Sequence, residues 1–229
     1  MDKETLKLLK AELKDDMKQR GFKTEGQWYM RLVNSRVYQT VYIQGSKYGD
    51  EFCVNIGLMP LCTGNTDAKT PNFQMRLGTL AYGSDQWWSY SPASAKDAAA
   101  LTRKVAFPIF DGCLSYRGLF EFAKPIIDGS GNDNLAAEIF RLFKSDEWVK
   151  MLLSLNEPEC CKLVLRNSIK KWEQHIETEQ YTDVFIKRKE LDKSLLVLVE
   201  SGDLSEIQEE IRRNEAVSLA ALTKYIVKA

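Results

Sequence analysis

Apolar and polar residues alternate with a period of two along two neighbouring stretches, residues 37–44 and 52–58. In the first, Val37, Gln39, Val41 and Ile43 share one side, and Tyr38, Thr40, Tyr42 and Gln44 the other. In the second, Phe52, Val54, Ile56 and Leu58 share one side, with Cys53 and Asn55 opposite. Joined by a short glycine-containing polar connector, this alternation predicts an antiparallel hairpin with one apolar face. Residues 27–33 alternate as well, with Trp28, Met30 and Leu32 together, and Asn34, Ser35 and Arg36 supply a turn into the hairpin. After a loop over 60–71, Phe73, Met75 and Leu77 alternate with Gln74 and Arg76, predicting a fourth strand over 72–80. The tract DQWWSYSP, residues 85–92, predicts a turn and a short edge segment.

Helical periodicity occupies both ends of the chain. Leu6, Leu9, Leu13 and Met17 make one apolar stripe on a first helix; Gly21 is a left-handed stop, with Phe22 folding back as its apolar contact. Ser94 followed by Asp97 resembles a capping box, opening a helix through Ala98, Leu101 and Val105 that Pro108 ends. A short helix over 114–124 is stopped by Pro125. The run DGSGNDN, residues 128–134, is the most linker-like in the chain. Beyond it the pattern is helical throughout: Leu135, Ile139, Leu142 and Phe143; then Cys161, Leu165, Ile169, Trp172 and Ile176; then Tyr181, Phe185, Leu191, Leu195 and Leu198. Asp203 with Glu206 resembles a further capping pair, and Leu219, Leu222 and Ile226 continue the stripe. The expected architecture is α+β: an antiparallel sheet flanked by helices over 1–128, followed by an all-helical region over 129–229.

Composition narrows the function classes. In 229 residues, 32 basic and 32 acidic side chains cancel, which argues against a protein built to grip nucleic acid backbones. No apolar run is long enough to span a bilayer and no leader pattern opens the chain, so a cytoplasmic address is expected and a membrane partner is not. The five cysteines (Cys53, Cys62, Cys113, Cys160 and Cys161) have no C-x-x-C spacing and are expected to be reduced thiols.

An amphipathic helix comes first, then GFKTEGQWYMR (21–31), VYIQGSKYGDEFCVNIG (41–57), MRLGTL (75–80), DQWW (85–88) and AFPIFD (106–111). That ordered series resembles DUF4304, an uncharacterised and mostly bacterial domain family, over the first half of the chain. The resemblance implies a small α+β domain with an antiparallel sheet and flanking helices. It implies no activity and no catalytic residues.

Candidate chemistry is sparse. His175 is the only histidine and has no second ligand at metal spacing, so a helix-surface residue is expected, not a general base or zinc ligand. DGSGNDN lacks the lysine of a phosphate loop and the glycine and glutamate of a calcium loop, and reads as linker plus an N-cap at Asp133 or Asn134. Asp50 and Glu51 read as a solvated turn rather than a metal pair, and Lys170–Lys171 and Lys187–Arg188–Lys189 as solvated helix faces. The second sheet face is the best site candidate. Tyr38, Thr40, Tyr42, Gln44, Asn55, Gln74 and Arg76 project from it, with Trp87 and Trp88 as a rim beside Tyr82 and Tyr90. Aromatic area with amides and one guanidinium suits a protein partner or a small molecule. The expectation is a non-catalytic binding or protein-interaction module of the toxin-immunity kind, with no cofactor. The alternatives are an enzyme acting on a nucleotide or phosphorylated small molecule at that face, and an oligomerisation module.

Overall fold

In the computed structural model the chain is described over residues 2–127, 145–178 and 182–227. The linker-like run 128–134 with its expected cap, and Leu135, Ile139, Leu142, Phe143 and Tyr181, lie outside the described residues. Helix α1, Lys3–Gln19, starts where the Asp2 carboxylate accepts from the Thr5 amide at 2.7 Å. It buries Thr5, Leu9, Leu13 and Met17 at one-turn spacing. Gly21 (φ +76°) ends it as expected: its amide bonds Lys18 O and the Phe22 amide bonds Met17 O, the paired bonds of a Schellman stop.

Six antiparallel strands follow: β1 Lys23–Glu25, β2 Trp28–Val33, β3 Val37–Gly45, β4 Glu51–Pro60, β5 Phe73–Arg76 and β6 Trp88–Ser89. They pair in the order β1-β2-β3-β4-β5, and β6 pairs with the start of β4. The β2–β3 turn holds Asn34 and Ser35 at positive φ and closes with Arg36 N–H donating to Val33 O. Val37, Val41, Ile43, Phe52, Val54, Ile56 and Leu58 are all buried on the first face, as their alternation demands. Gln39 shares that face and is fully buried. Its amide donates to the carbonyls of Phe110 and Cys113 and its oxygen accepts from Arg31, so the polar side chain is satisfied.

Five expectations are corrected. The stretch 72–80 is a strand only to Arg76; α2, Leu77–Tyr82, then turns away, capped by Gly83 in the left-handed region. The cap of α3, Pro92–Leu101, is Ser91, whose hydroxyl accepts from the Ser94 amide. Pro108 does not end the helical run: α3 widens into a π turn at Thr102–Ala106 and continues as α4, Phe107–Gly112, with Pro108 in its first turn. A proline lacks the amide for an i−4 bond, and the widened turn removes the demand for one. Pro125 likewise lies inside α5, Tyr116–Ile127. Helices α6 Ser145–Ser154, α7 Pro158–Thr178, α8 Thr182–Ser201 and α9 Ser205–Leu222 complete the described chain. The Asp203–Glu206 pair does not cap α9; Asp203 accepts from the Ser205 hydroxyl instead.

The carboxy-terminal helices share the core of the sheet. Trp148, Met151, Leu152, Leu165 and Val199 belong to one apolar cluster with the first face, Trp148 meeting Phe73 edge-on at 5.8 Å. In the bundle, the Asp192 carboxylate is buried and accepts from Ser145, Ser168 and the Trp172 indole. Helix α9 reaches around to the other face. Asn214 donates to Cys62 O, and the Tyr116 hydroxyl accepts from the Cys62 amide and donates to Glu215. Leu222 and Tyr225 then pack on Met30, Leu32, Tyr38 and Met59 of the second face. Strand β1 covers only the first half of β2, and Ile226 bridges Leu32 on the remaining edge, with the Val227 amide bonding Leu32 O.

Candidate functional site

Where β2, β3 and β4 run side by side, strand register divides the second face into three rows, and Gln44 opposite Cys53 extends it beyond them. Leu32, Tyr38 and Met59 form the row covered by Leu222 and Tyr225. Met30, Thr40, Gly57 and Gln74 form the middle row. Pro71 rests on it: a Cβ at Gly57 would lie 2.3 Å from Pro71 Cγ and 2.3 Å from Thr40 Oγ1. The third row crosses four strands, Trp28 opposite Tyr42, Tyr42 opposite Asn55, and Asn55 opposite Arg76. Carboxy-terminal helix and loop thus close one end of the face; at the other, Trp28, Tyr42, Gln44 and Arg76 stay half-exposed around buried Cys53 and Asn55.

In the third row the Trp28 and Tyr42 rings stack with centroids 4.1 Å apart and planes 9° from parallel. Beside them the Asn55 amide donates to Gln44 Oε1 at 3.1 Å and to the Cys53 sulfur at 3.7 Å. Burial pushes the Cys53 thiol up, opposed by the nearby Arg76 charge, so it stays protonated at neutral pH. The Arg76 guanidinium lies 5.1 Å from the Trp87 ring centre and pairs with Asp85, which also accepts from the Thr79 hydroxyl at 3.1 Å. The result is an aromatic plate, an amide pair and an oriented guanidinium in one strip. Of these, tryptophan, tyrosine and arginine are enriched at the centres of protein interfaces.

Tyr42, Gln44, Asn55, Arg76 and Trp87 therefore come together, Asn55 itself buried, whereas Tyr38 and Thr40 of the expected face are core, Tyr38 under Leu222 and Tyr225. Trp88 does not: its pairing with Phe52 turns it to the core side, 8% exposed and stacked on Phe52 at 5.7 Å. Trp87 precedes β6 and its ring lies against Arg76, so the two tryptophans do not share one rim. Tyr90 also stacks on Phe52, and Tyr82 borders a separate cavity of about 400 Å³ with Asp97 and Lys104. Trp28 was missing from the expected site. Counting outward from the turn at 34–36 pairs it with Tyr42, so the signal lay in the sequence.

The other candidates stay apart from this strip. His175 stacks against Phe185 at 5.1 Å on the helical bundle. Asp50 and Glu51 are exposed at the β3–β4 turn, where the Asp50 carbonyl accepts from the Tyr90 amide. All five cysteines are free thiols. Among the described residues no group of three or more His, Cys, Asp or Glu is placed to hold a metal ion, and no helix is long and apolar enough to cross a membrane.

Residues 13–111 match the model of the family described as a domain of unknown function, DUF4304. The match runs from the middle of α1 to α4 and takes in every strand and every residue of the third row. No curated protein and no solved structure matches the chain.

Proposed function

We propose that this chain is a cytoplasmic, non-catalytic interaction module that docks a protein partner on the open end of its second sheet face. The observation that carries this reading is the row Trp28–Tyr42–Asn55–Arg76, continuous across four strands, in which Trp28, Tyr42 and Arg76 stay half-exposed around a buried Asn55. Tryptophan, tyrosine and arginine are the side chains that most often contribute the largest share of protein-binding energy. A rigid sheet presents them without the entropy cost of ordering a loop. The non-catalytic part rests on the groups themselves: Arg76 is engaged by Asp85, and the Cys53 thiol is held in its protonated form. Five free cysteines suit a reducing compartment.

The test is quantitative affinity capture from a lysate of the source organism, comparing the wild-type chain with Tyr42→Ala and Arg76→Ala. At least one protein retained by the wild type should fall by about tenfold or more with each variant, a loss of about 1.4 kcal/mol, while both variants keep cooperative melting. Identical capture by all three proteins refutes the reading.

A further inference from the structure

A second surface lies on the other side of β2. Along α1, Lys7, Lys10, Lys14 and Lys18 recur at i, i+3, i+7 and i+11. That spacing sets them on one flank over about 16 Å of helix. The flank borders a groove of about 410 Å³ against β1 and β2, floored by Met17, Phe22 and Tyr29. Lys10 donates to the Gly26 carbonyl and bridges the groove to the β1–β2 turn. Lys7, Lys14 and Lys18 have no carboxylate partner among the described residues. On the same helix Glu4 and Asp15, three residues before Lys7 and Lys18, make no ion pair with them, and Asp16 is bonded by Arg103 at 2.8 Å. Three uncompensated ammonium groups thus overhang an apolar floor.

The floor carries one hydroxyl that no side chain engages. Tyr29 is 3% exposed, borders the groove, and its hydroxyl has no hydrogen-bond partner among the described residues. Burial pushes that phenol up to about 12, so it remains a donor at any physiological pH.

We infer that this groove receives an acidic amphipathic helix from a partner protein, its carboxylates on the α1 lysines and its apolar side on the floor. A single anionic headgroup would answer one or two amines. Amines spread over about 16 Å at helical spacing match carboxylates that recur every three to four residues on a facing helix. Nucleic acid fits less well, because base stacking needs a free aromatic face. The Phe22 ring is already covered by the Arg31 guanidinium at 4.6 Å and packed on Phe110 at 5.5 Å. The groove is distinct from the Trp28–Tyr42 strip, since adjacent residues Trp28 and Tyr29 face opposite sides of the sheet.

The probe is a fluorescein-labelled helical peptide of about four turns, with glutamates at the spacing of the lysines and leucines on the intervening side. Fluorescence anisotropy should give saturable binding that weakens with added salt. Binding should fall by about tenfold or more for a scrambled peptide of the same composition and for the triple variant Lys7→Glu, Lys14→Glu, Lys18→Glu. Tyr29→Phe, which leaves every charge in place, should weaken it by about threefold without lowering the melting temperature. Equal binding of ordered and scrambled peptides overturns the inference, as does full binding by the triple variant. So does displacement of the peptide by a single-stranded oligonucleotide or by dodecanoate at lower concentration than by unlabelled peptide.

Discussion

Tyr225→Ala and Tyr42→Ala remove the same side chain from opposite ends of one sheet face, and the structure assigns them different costs. Tyr225 is 1% exposed, with its ring 5.4 Å from that of Tyr38 and Leu32, Met59 and Leu222 in the same cluster. Truncating a fully buried aromatic side chain costs about 3–5 kcal/mol in lost transfer energy and cavity. For a chain of this size each kcal/mol lowers the melting temperature by about 2–4 °C, so a fall on the order of 10 °C is expected. Tyr42 is half-buried and has one stacked neighbour, Trp28, at 4.1 Å. Its loss should cost about 1 kcal/mol, mostly the stacking contribution, and a few degrees at most. Thermal melts followed by near-ultraviolet circular dichroism separate the two. If Tyr42→Ala melts as low as Tyr225→Ala, the whole face is core and the binding reading fails. If Tyr225→Ala costs under about 1 kcal/mol, the carboxy-terminal turn does not seal the far end.

Asp192→Asn should lower the urea midpoint by the equivalent of about 2–3 kcal/mol, because an amide nitrogen would face donors from Ser145, Ser168 and Trp172 that all converge on the carboxylate; an unchanged midpoint contradicts that. Gly57→Ala should cost about 1–3 kcal/mol by driving a methyl group into Pro71 and Thr40, and Pro71→Ala added to it should recover part of the loss; simple additivity of the two would count against the contact. Burial pushes the thiols of Cys62, Cys113 and Cys161 each up to about 12 from an ordinary 9.0. Between pH 9 and 12 the folded chain therefore holds protons that the unfolded chain releases, and stability falls as pH rises, by about 1.4 kcal/mol per pH unit for each thiol. Urea midpoints measured from pH 8 to 11 should decline steeply above 9, less so for Cys62→Ala; a flat profile contradicts the burial of these groups.

The hairpin was legible because its period of two has one face that must be buried, and a slip by one residue would have exposed Val41, Ile43, Val54 and Ile56 together. Leu77 kept the parity of Phe73 and Met75, so alternation alone ran the strand past its end. The departure is marked by Gly83 in its left-handed cap and by Gly78, where a Cβ would sit 2.3 Å from the Gln86 amide. Pro108 read as a stop because local rules for proline say nothing of a π turn upstream, and Pro125 lies inside α5, where it removes one i−4 bond without ending the helix. The site was legible through Tyr42, Gln44, Asn55 and Arg76, whose neighbourhood follows from strand pairing. The side on which Trp88 falls depends on β6 joining β4, a contact between residues 36 apart in sequence, as Phe52 and Trp88 are, that no local pattern carries. The covering of the Tyr38 end by Tyr225 is longer-range still.

Hydroxyl-radical footprinting of the chain, purified and then in complex with the partner recovered by capture, tests the central claim most directly. The account predicts that oxidation of Trp28, Tyr42 and Trp87 falls by about tenfold or more on complex formation, while Tyr48 and Tyr82, 96% and 64% exposed, stay as reactive as in the free chain. Unchanged labelling of Trp28 and Tyr42, with protection confined to other surfaces, would contradict it.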